Sequence, residues 1–439
     1  MASPLSHLRV LDMSRILAGP WAGQTLADLG AEVIKIERCG GGDDTRSWGP
    51  PFIDDTDGNQ TSESAYFLSA NRGKKSLALD IATPEGQDVV RRLAAKSDIL
   101  IENYKVGGLA RYGLGYEDLK KINPRLIYCS ITGFGQTGPY ASRAGYDFLI
   151  QAMGGLMSVT GEKDDLPGGG PQKIGVALCD ILTGLYTTIA ALTGIAKRDS
   201  TGEGCHVDMA LLDVTTATMA NQALNFLVTG TAPGRMGNAH PNIVPYEAFE
   251  ASDMYLIVAV GNDGQYQRFV EAAGHPELAS DDRFDTNAAR VANREILIPI
   301  IRDFMKQRTG SDWIATLDGD GQNDPADIPA LWQIAIASFT SGRGGSIIPT
   351  SPKNMKPDSI VSTSSISSPS SNFLAHSANT RIALEAISRF DSTAFSISES
   401  LIGCISPSLI FQSTRDLYPP APPFEKIHFS PSYSCMTVI

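Results

Sequence analysis

Short apolar runs alternate with amphipathic stretches over the first 135 residues, and the alternation predicts most of the architecture. LRVLDMS (8–14), AEVIKIER (31–38), SLALDI (76–81), DILIENY (98–104) and RLIYCSITGF (125–134) have the length and side-chain types of strands. Between them, WAGQTLADLG (21–30) reads as a helix stopped by Gly30. EGQDVVRRLAAKS (85–97) reads as a second, with Thr83 as its cap and Pro84 at its first position, and GYEDLKKIN (115–123) as a third. Such runs spaced by helices imply an α/β fold whose parallel sheet is covered on both faces. The stretch 39–65 is polar and Gly-rich, and reads as a loop.

From about 146 to 225 the pattern is helical and rich in small residues, returning to a strand at CHVDMAL (205–211). Its longest apolar stretch is KIGVALCDILTGLYTTIAALTGIAKR (173–198), with Asp180 near the head. Read as an N-cap, this carboxylate would accept bonds from the first free amides and stabilise the helix by about 1 kcal/mol. As a nucleophile it would be held ionised by those same amides, so the two roles are compatible. After the break VTGTAPGR (228–235) the pattern restarts with MYLIVAVG, QYQRFVEAAG and a long helical stretch to about 307. The expected division is a large α/β domain over 1–228, a smaller α+β domain over 229–318, and a Ser- and Pro-rich segment over 319–439. The last has little period of either kind and is weakly ordered by composition.

Composition narrows the function. A formal net charge of −12 gives no basic surface for nucleic acid, although a few placed Arg and Lys residues suffice for an anionic small ligand. Six cysteines without a CxxC pair and six scattered histidines form no disulfide framework and no metal-ligand spacing. Cys179 beside Asp180 reads as a packing residue. Apolar runs stop short of the roughly 18 residues a membrane span requires, and the N-terminus enters a strand without signal-peptide or clear transit-peptide character, so a cytoplasmic protein is expected, with the mitochondrial matrix as the alternative. The first strand-to-helix turn, MSRILAGPWAG, is neither GxGxxG nor a P-loop. Basic residues nevertheless recur in loops: Arg38, Arg46, Arg72, Lys74, Lys75 and Arg111. Any one reads as solvated charge, whereas together at strand ends they could hold a polyphosphate. GNAHPNIVPYEAF (237–249) could be a lid or a rigid turn, and Tyr146 could be a polar group of the substrate pocket or, by default, a half-buried aromatic.

LRVLDMSRILAGPWAGQTLADLGAEVIKIER, GGDDTRSWGPPF, NRGKKSLALD, DILIENY, GLGYEDL, SITGFGQTGPYASRAGYDF, GVALCDILTGLY and FDTNAARVANR, in this order, resemble the class III CoA-transferases, the CaiB/BaiF family. The resemblance runs over about 6–318, and among members is strongest to dicarboxylate enzymes of the succinyl-CoA:glutarate type. It implies a Rossmann-like large domain, an interlocked homodimer, acyl-CoA and a small carboxylic acid as substrates, and no permanently bound cofactor or metal. The family's nucleophile falls on Asp180, and its CoA contacts on Arg38, Asn103 and Arg111, with Arg72 and Lys75 near the adenosine end. Its glycine-rich lid falls on 237–245, including Gly237 and Asn238. Racemases of the family carry His in a GHD block. This chain has Gly145-Tyr146-Asp147 there, which favours transfer over 2-methylacyl-CoA racemisation. After Asp318 the family's closing motif is missing, so a CoA-binding protein without turnover stays open as a second alternative beside the racemase. The acceptor acid stays open among succinate, glutarate, itaconate and similar diacids.

Overall fold

A computed structural model describes residues 3–317. The Ser- and Pro-rich stretch expected over 319–439 lies outside them. Contacts divide these residues into two units, the first running to Asn238 and the second starting at Ala239.

In chain order the first unit holds β1 (Arg9–Asp12), α1 (Ala18–Asp28), β2 (Glu32–Glu37), β3 (Phe52–Asp54), β4 (Gln60–Ser64), α2 (Ala65–Ser69), β5 (Lys75–Ala78), α3 (Pro84–Ala94) and β6 (Ile99–Glu102). It continues with α4 (Tyr116–Ile122), β7 (Ile127–Thr132), α5 (Asp147–Met153), α6 (Leu156–Val159), α7 (Leu178–Thr201), β8 (Cys205–Ala210), α8 (Leu211–Thr218) and α9 (Ala220–Thr229). Six strands make one sheet in the order β5-β2-β1-β6-β7-β8, every neighbouring pair parallel. This is the doubly wound Rossmann order, with its switch point between β1 and β6, and ligands bind beyond the C-terminal strand ends at such a point. β6 and β7 are buried almost throughout, which is why they read as unbroken apolar runs.

The local signals act as their chemistry requires. Thr83 Oγ1 accepts from Gly86 N at 3.1 Å with Pro84 in the first turn, and Gly30 ends α1 at φ +103°. The stretch 39–65 is not simply loop, because β3 and β4 pair antiparallel around a turn in which Asp55 accepts from the amides of Asp57 and Asn59.

α7 lies against the sheet and beside α1. A Cβ on Gly184 would stand 2.7 Å from Ala18 O, and one on Gly194 2.8 Å from Ile127 Cγ2, so both glycines are sites of close approach. By length and composition α7 could cross a bilayer, contrary to the expectation from uninterrupted runs; 44% of its most apolar window is buried within the protein. Its threonines explain the difference. The hydroxyls of Thr183, Thr187 and Thr188 bond carbonyls four residues back, so they interrupt the apolar run yet pack inside.

The first unit extends past the expected break at 228/229. Beyond α9 the chain returns to the 160–164 loop after α6, where Gly237 N donates to Gly161 O at 3.0 Å and Arg235 pairs with Asp164. The second unit holds β9 (Tyr246–Glu250) and β10 (Tyr255–Ala259), an antiparallel pair, with α10 (Asp263–Ala273), α11 (Asn287–Ala292), α12 (Arg294–Met305) and α13 (Gly310–Leu317). Its core is built from Phe249, Tyr266, Phe269, Phe304 and Trp313.

Candidate active site

A cavity of about 870 Å³ opens at the switch point of the sheet. Its walls come from the turn after β1 (Arg15 to Ala18), the segments after β2 and β6, the end of β7, the 141–147 segment and the head of α7. Asp180 is the third residue of α7 and lines this cavity, half-buried. Burial, and then the negative charge of Asp147, push its carboxyl up to about 7.

The expected cap is not made by Asp180. The N-cap position is Ala177, and Asp147 at the start of α5 supplies the acceptor instead. Its Oδ1 takes Cys179 N at 2.9 Å and Asp180 N at 3.2 Å. These amides therefore do not hold Asp180 ionised; the carboxylate that receives them is the one that opposes its ionisation. Cys179 is fully buried and its thiol is raised to about 11 by burial, which fits packing.

The β1–α1 turn is braced across the switch point. Asn103 Oδ1 accepts from Arg15 N at 2.9 Å, and its Nδ2 donates to Arg15 O at 2.7 Å. Ile16 follows at φ +72°, a costly conformation for a β-branched residue, with its amide directed to the Asp43 carboxylate at 3.2 and 3.3 Å. Below the turn run two buried ion pairs, Lys35 to Asp43 at 2.9 Å and Lys74 to Asp12 at 2.8 Å. Lys35 Nζ also reaches Ser14 O, and Lys74 Nζ reaches Pro20 O.

The sequence pattern of CoA-transferase family III matches residues 5–325. The chain belongs to that family. It is 55% identical over 291 residues to a succinate–glutarate CoA-transferase of Agrobacterium fabrum, spanning 66% of this chain and 72% of that protein. It is 44% identical over 318 residues to the human succinyl-CoA:glutarate CoA-transferase, spanning 72% and 70%. A crystal structure of a CaiB/BaiF family protein from Brucella suis superposes with a TM-score of 0.63 at 54% identity, covering 75% of this chain and 86% of that one. The protein is thus a class III CoA-transferase, an enzyme whose substrates are CoA thioesters.

Of the residues singled out in this transferase's sequence, Arg38, Asn103, Arg111, Tyr146 and Asp180 line the cavity together. Arg38 pairs with Asp44 at 2.9 Å, and Arg111 stacks on Tyr112 and donates to its hydroxyl. Asn103 stands in the wall as a strut, its side-chain oxygen and nitrogen both bonded to the backbone of Arg15. Tyr146 is 72% exposed, not half-buried, because its neighbour Asp147 takes the inward position.

Six residues are elsewhere. Arg46 pairs with Glu37, and Lys74 is held by Asp12. Lys75 opens β5, and Arg72 lies in the turn before it, so both stand at the N-terminal end of a parallel strand, away from the cavity. They pair with Glu32 and Asp28. Gly237 adopts φ +61° against the Glu162 carboxylate, and Asn238 is exposed beside it; neither lines the cavity. Sequence reasoning missed Arg15, Lys105, Arg143, Trp48 and Asp147, all of which line the cavity. Asp147 had a readable signal, an acidic residue at a predicted helix start directly after Tyr146.

Proposed function

We propose that this transferase carries CoA from succinyl-CoA to a dicarboxylate, glutarate first, with Asp180 as the nucleophile. The observation that carries the reading is Asp180, a carboxylate made more basic by burial, in a cavity whose walls also hold Arg15, Arg38, Lys105, Arg111 and Arg143. A ligand with an anionic diphosphate and a neutral thioester arm suits that division of charge. The names of the relatives supply the two acids.

In the proposed cycle an Asp180 oxygen attacks the thioester carbonyl. The tetrahedral oxyanion collapses, the carbon–sulfur bond breaks, and a mixed anhydride and CoA thiolate form. The thiolate attacks the aspartyl carbonyl, releasing succinate and leaving an aspartyl-CoA thioester. Glutarate attacks that thioester and expels CoA thiolate. The thiolate then attacks the glutaryl carbonyl, giving glutaryl-CoA and free Asp180. A carboxylate suits both halves because it can attack and can leave. Oxyanion stabilisation has to come from donors other than the amides of Cys179 and Asp180, which Asp147 already occupies.

The test is mass spectrometry of protein mixed with succinyl-CoA without acceptor. A CoA adduct on the peptide bearing Asp180 is expected, and it should vanish in Asp180→Asn. An active protein with no adduct, or an Asp180→Asn variant with wild-type turnover, would sink the scheme.

The proposed working form is a homodimer. Support comes from large apolar side chains left exposed on α5, α7 and α9, among them Phe148, Ile189, Leu224, Leu227 and Val228.

A further inference from the structure

We propose that Asp147 is the positioning residue of this site, fixing the first turn of α7 and with it the direction of the Asp180 carboxylate. The inference rests on reading Asp180 as the nucleophile.

The head of a helix leaves amides without partners, and Ala177 at the N-cap offers no side chain to meet them. Asp147 reaches in from α5 and accepts two of them on one oxygen, those of Cys179 and of Asp180 itself. Its second oxygen accepts from Gln151 Nε2 at 2.7 Å. Gln151, fully buried one turn along α5, accepts from Ile174 N at 2.9 Å on its own carbonyl oxygen. The carboxylate and the amide thus brace the chain at both 174 and 179–180, the two ends of the approach to α7. Asp180 is held through its own backbone nitrogen, so a shift of Asp147 moves the nucleophile's Cα and not merely its rotamer.

Asp147 also places a negative charge beside Asp180. The other titratable groups acting in this corner are Tyr66 of α2, raised by burial and by Asp180, Asp147 and Asp43, and the Cys179 thiol on α7. Bracing and charge are partly separable. Asp147→Asn keeps an oxygen able to accept both amides and removes the charge, at the cost of turning an NH2 donor towards Gln151 Nε2, whereas Asp147→Ala removes all of these contacts.

The experiment measures kcat, the KM for succinyl-CoA and the pH profile of the wild type and both variants, alongside the adduct on the Asp180 peptide. Asp147→Ala should lose about a hundredfold in kcat, the scale of a nucleophile misplaced by about 1 Å, with KM within about threefold. Asp147→Asn, which keeps the two amide bonds and loses the one from Gln151, should lose less kcat at pH 8 than Asp147→Ala, while its acid limb moves to lower pH. Wild-type kcat in Asp147→Ala would overturn the proposal. So would equal, large losses in both variants with an unmoved acid limb, which would make the carboxylate itself a reacting group. If Asp147→Ala fails to fold, Asp147→Asn decides, an unmoved limb counting against the proposal. A wild type without the adduct on Asp180 would instead overturn the reading on which this inference rests.

Discussion

Asp180 loses its proton less readily than an exposed aspartate because burial removes water from the charged form and Asp147 repels it. Attack on a thioester needs the ionised form, so activity should rise with pH through about 7. Single-turnover transfer from succinyl-CoA should be about a hundredfold slower at pH 5 than at pH 8; a flat profile between them would contradict the assignment. The same shift acts on stability with the opposite sign. A carboxyl whose folded value lies above its unfolded one is a cost to folding once pH exceeds the unfolded value of 3.8, and the cost is complete above about 7. Asp180→Asn should therefore be more stable than the wild type at pH 8, by up to about 4 kcal/mol, and show little gain at pH 4. Thermal unfolding at the two pH values checks it.

At the scale of elements, the β1–α1 turn and the head of α7 are the pieces that make the cavity. Neither is shaped by its own residues alone. Ile16 stays at φ +72° because Asn103 holds the residue before it and Asp43 is directed at its amide. This distinguishes a strut from a ligand contact. Asn103→Ala leaves Arg15 N and O without their partners and should lower stability by about 1–3 kcal/mol in urea unfolding of the ligand-free protein. A residue that only touched CoA would leave that unfolding curve unchanged and raise KM alone. α7 depends equally on its neighbours: glycine at 184 lets α1 approach, and Asp147 of α5 satisfies its first amides.

For the whole molecule, the doubly wound order sends the strands on either side of the switch point to opposite wings of the sheet, opening the crevice that Arg15 and Asn103 bridge. The proposed homodimer is tested at this scale. Light scattering should give twice the chain mass, and charged replacements such as Ile189→Glu and Val228→Lys should shift it towards the monomer. A wild-type monomer that turns over at full rate would refute the dimer as the working form.

Sequence alone was enough for whatever rests on local periodicity and spacing. The strands from LRVLDMS to CHVDMAL, the capped helix at Thr83, the stop at Gly30 and the family blocks around Asp180 all carry their reason within a few neighbours. Side chains whose partners are distant in sequence were not legible. Arg72 and Lys75 looked like phosphate ligands until Asp28 and Glu32, more than forty residues away, paired with them. Asn103 lines the cavity, but the reach of its amide across 88 residues to the backbone of Arg15 could not be read from the sequence. The environment of Asp180 depended on Asp147, 33 residues earlier and on another helix. A carboxylate's position is written in the chain, but its charge state follows from what folding places beside it and how far water is excluded, and only the tertiary structure decides those.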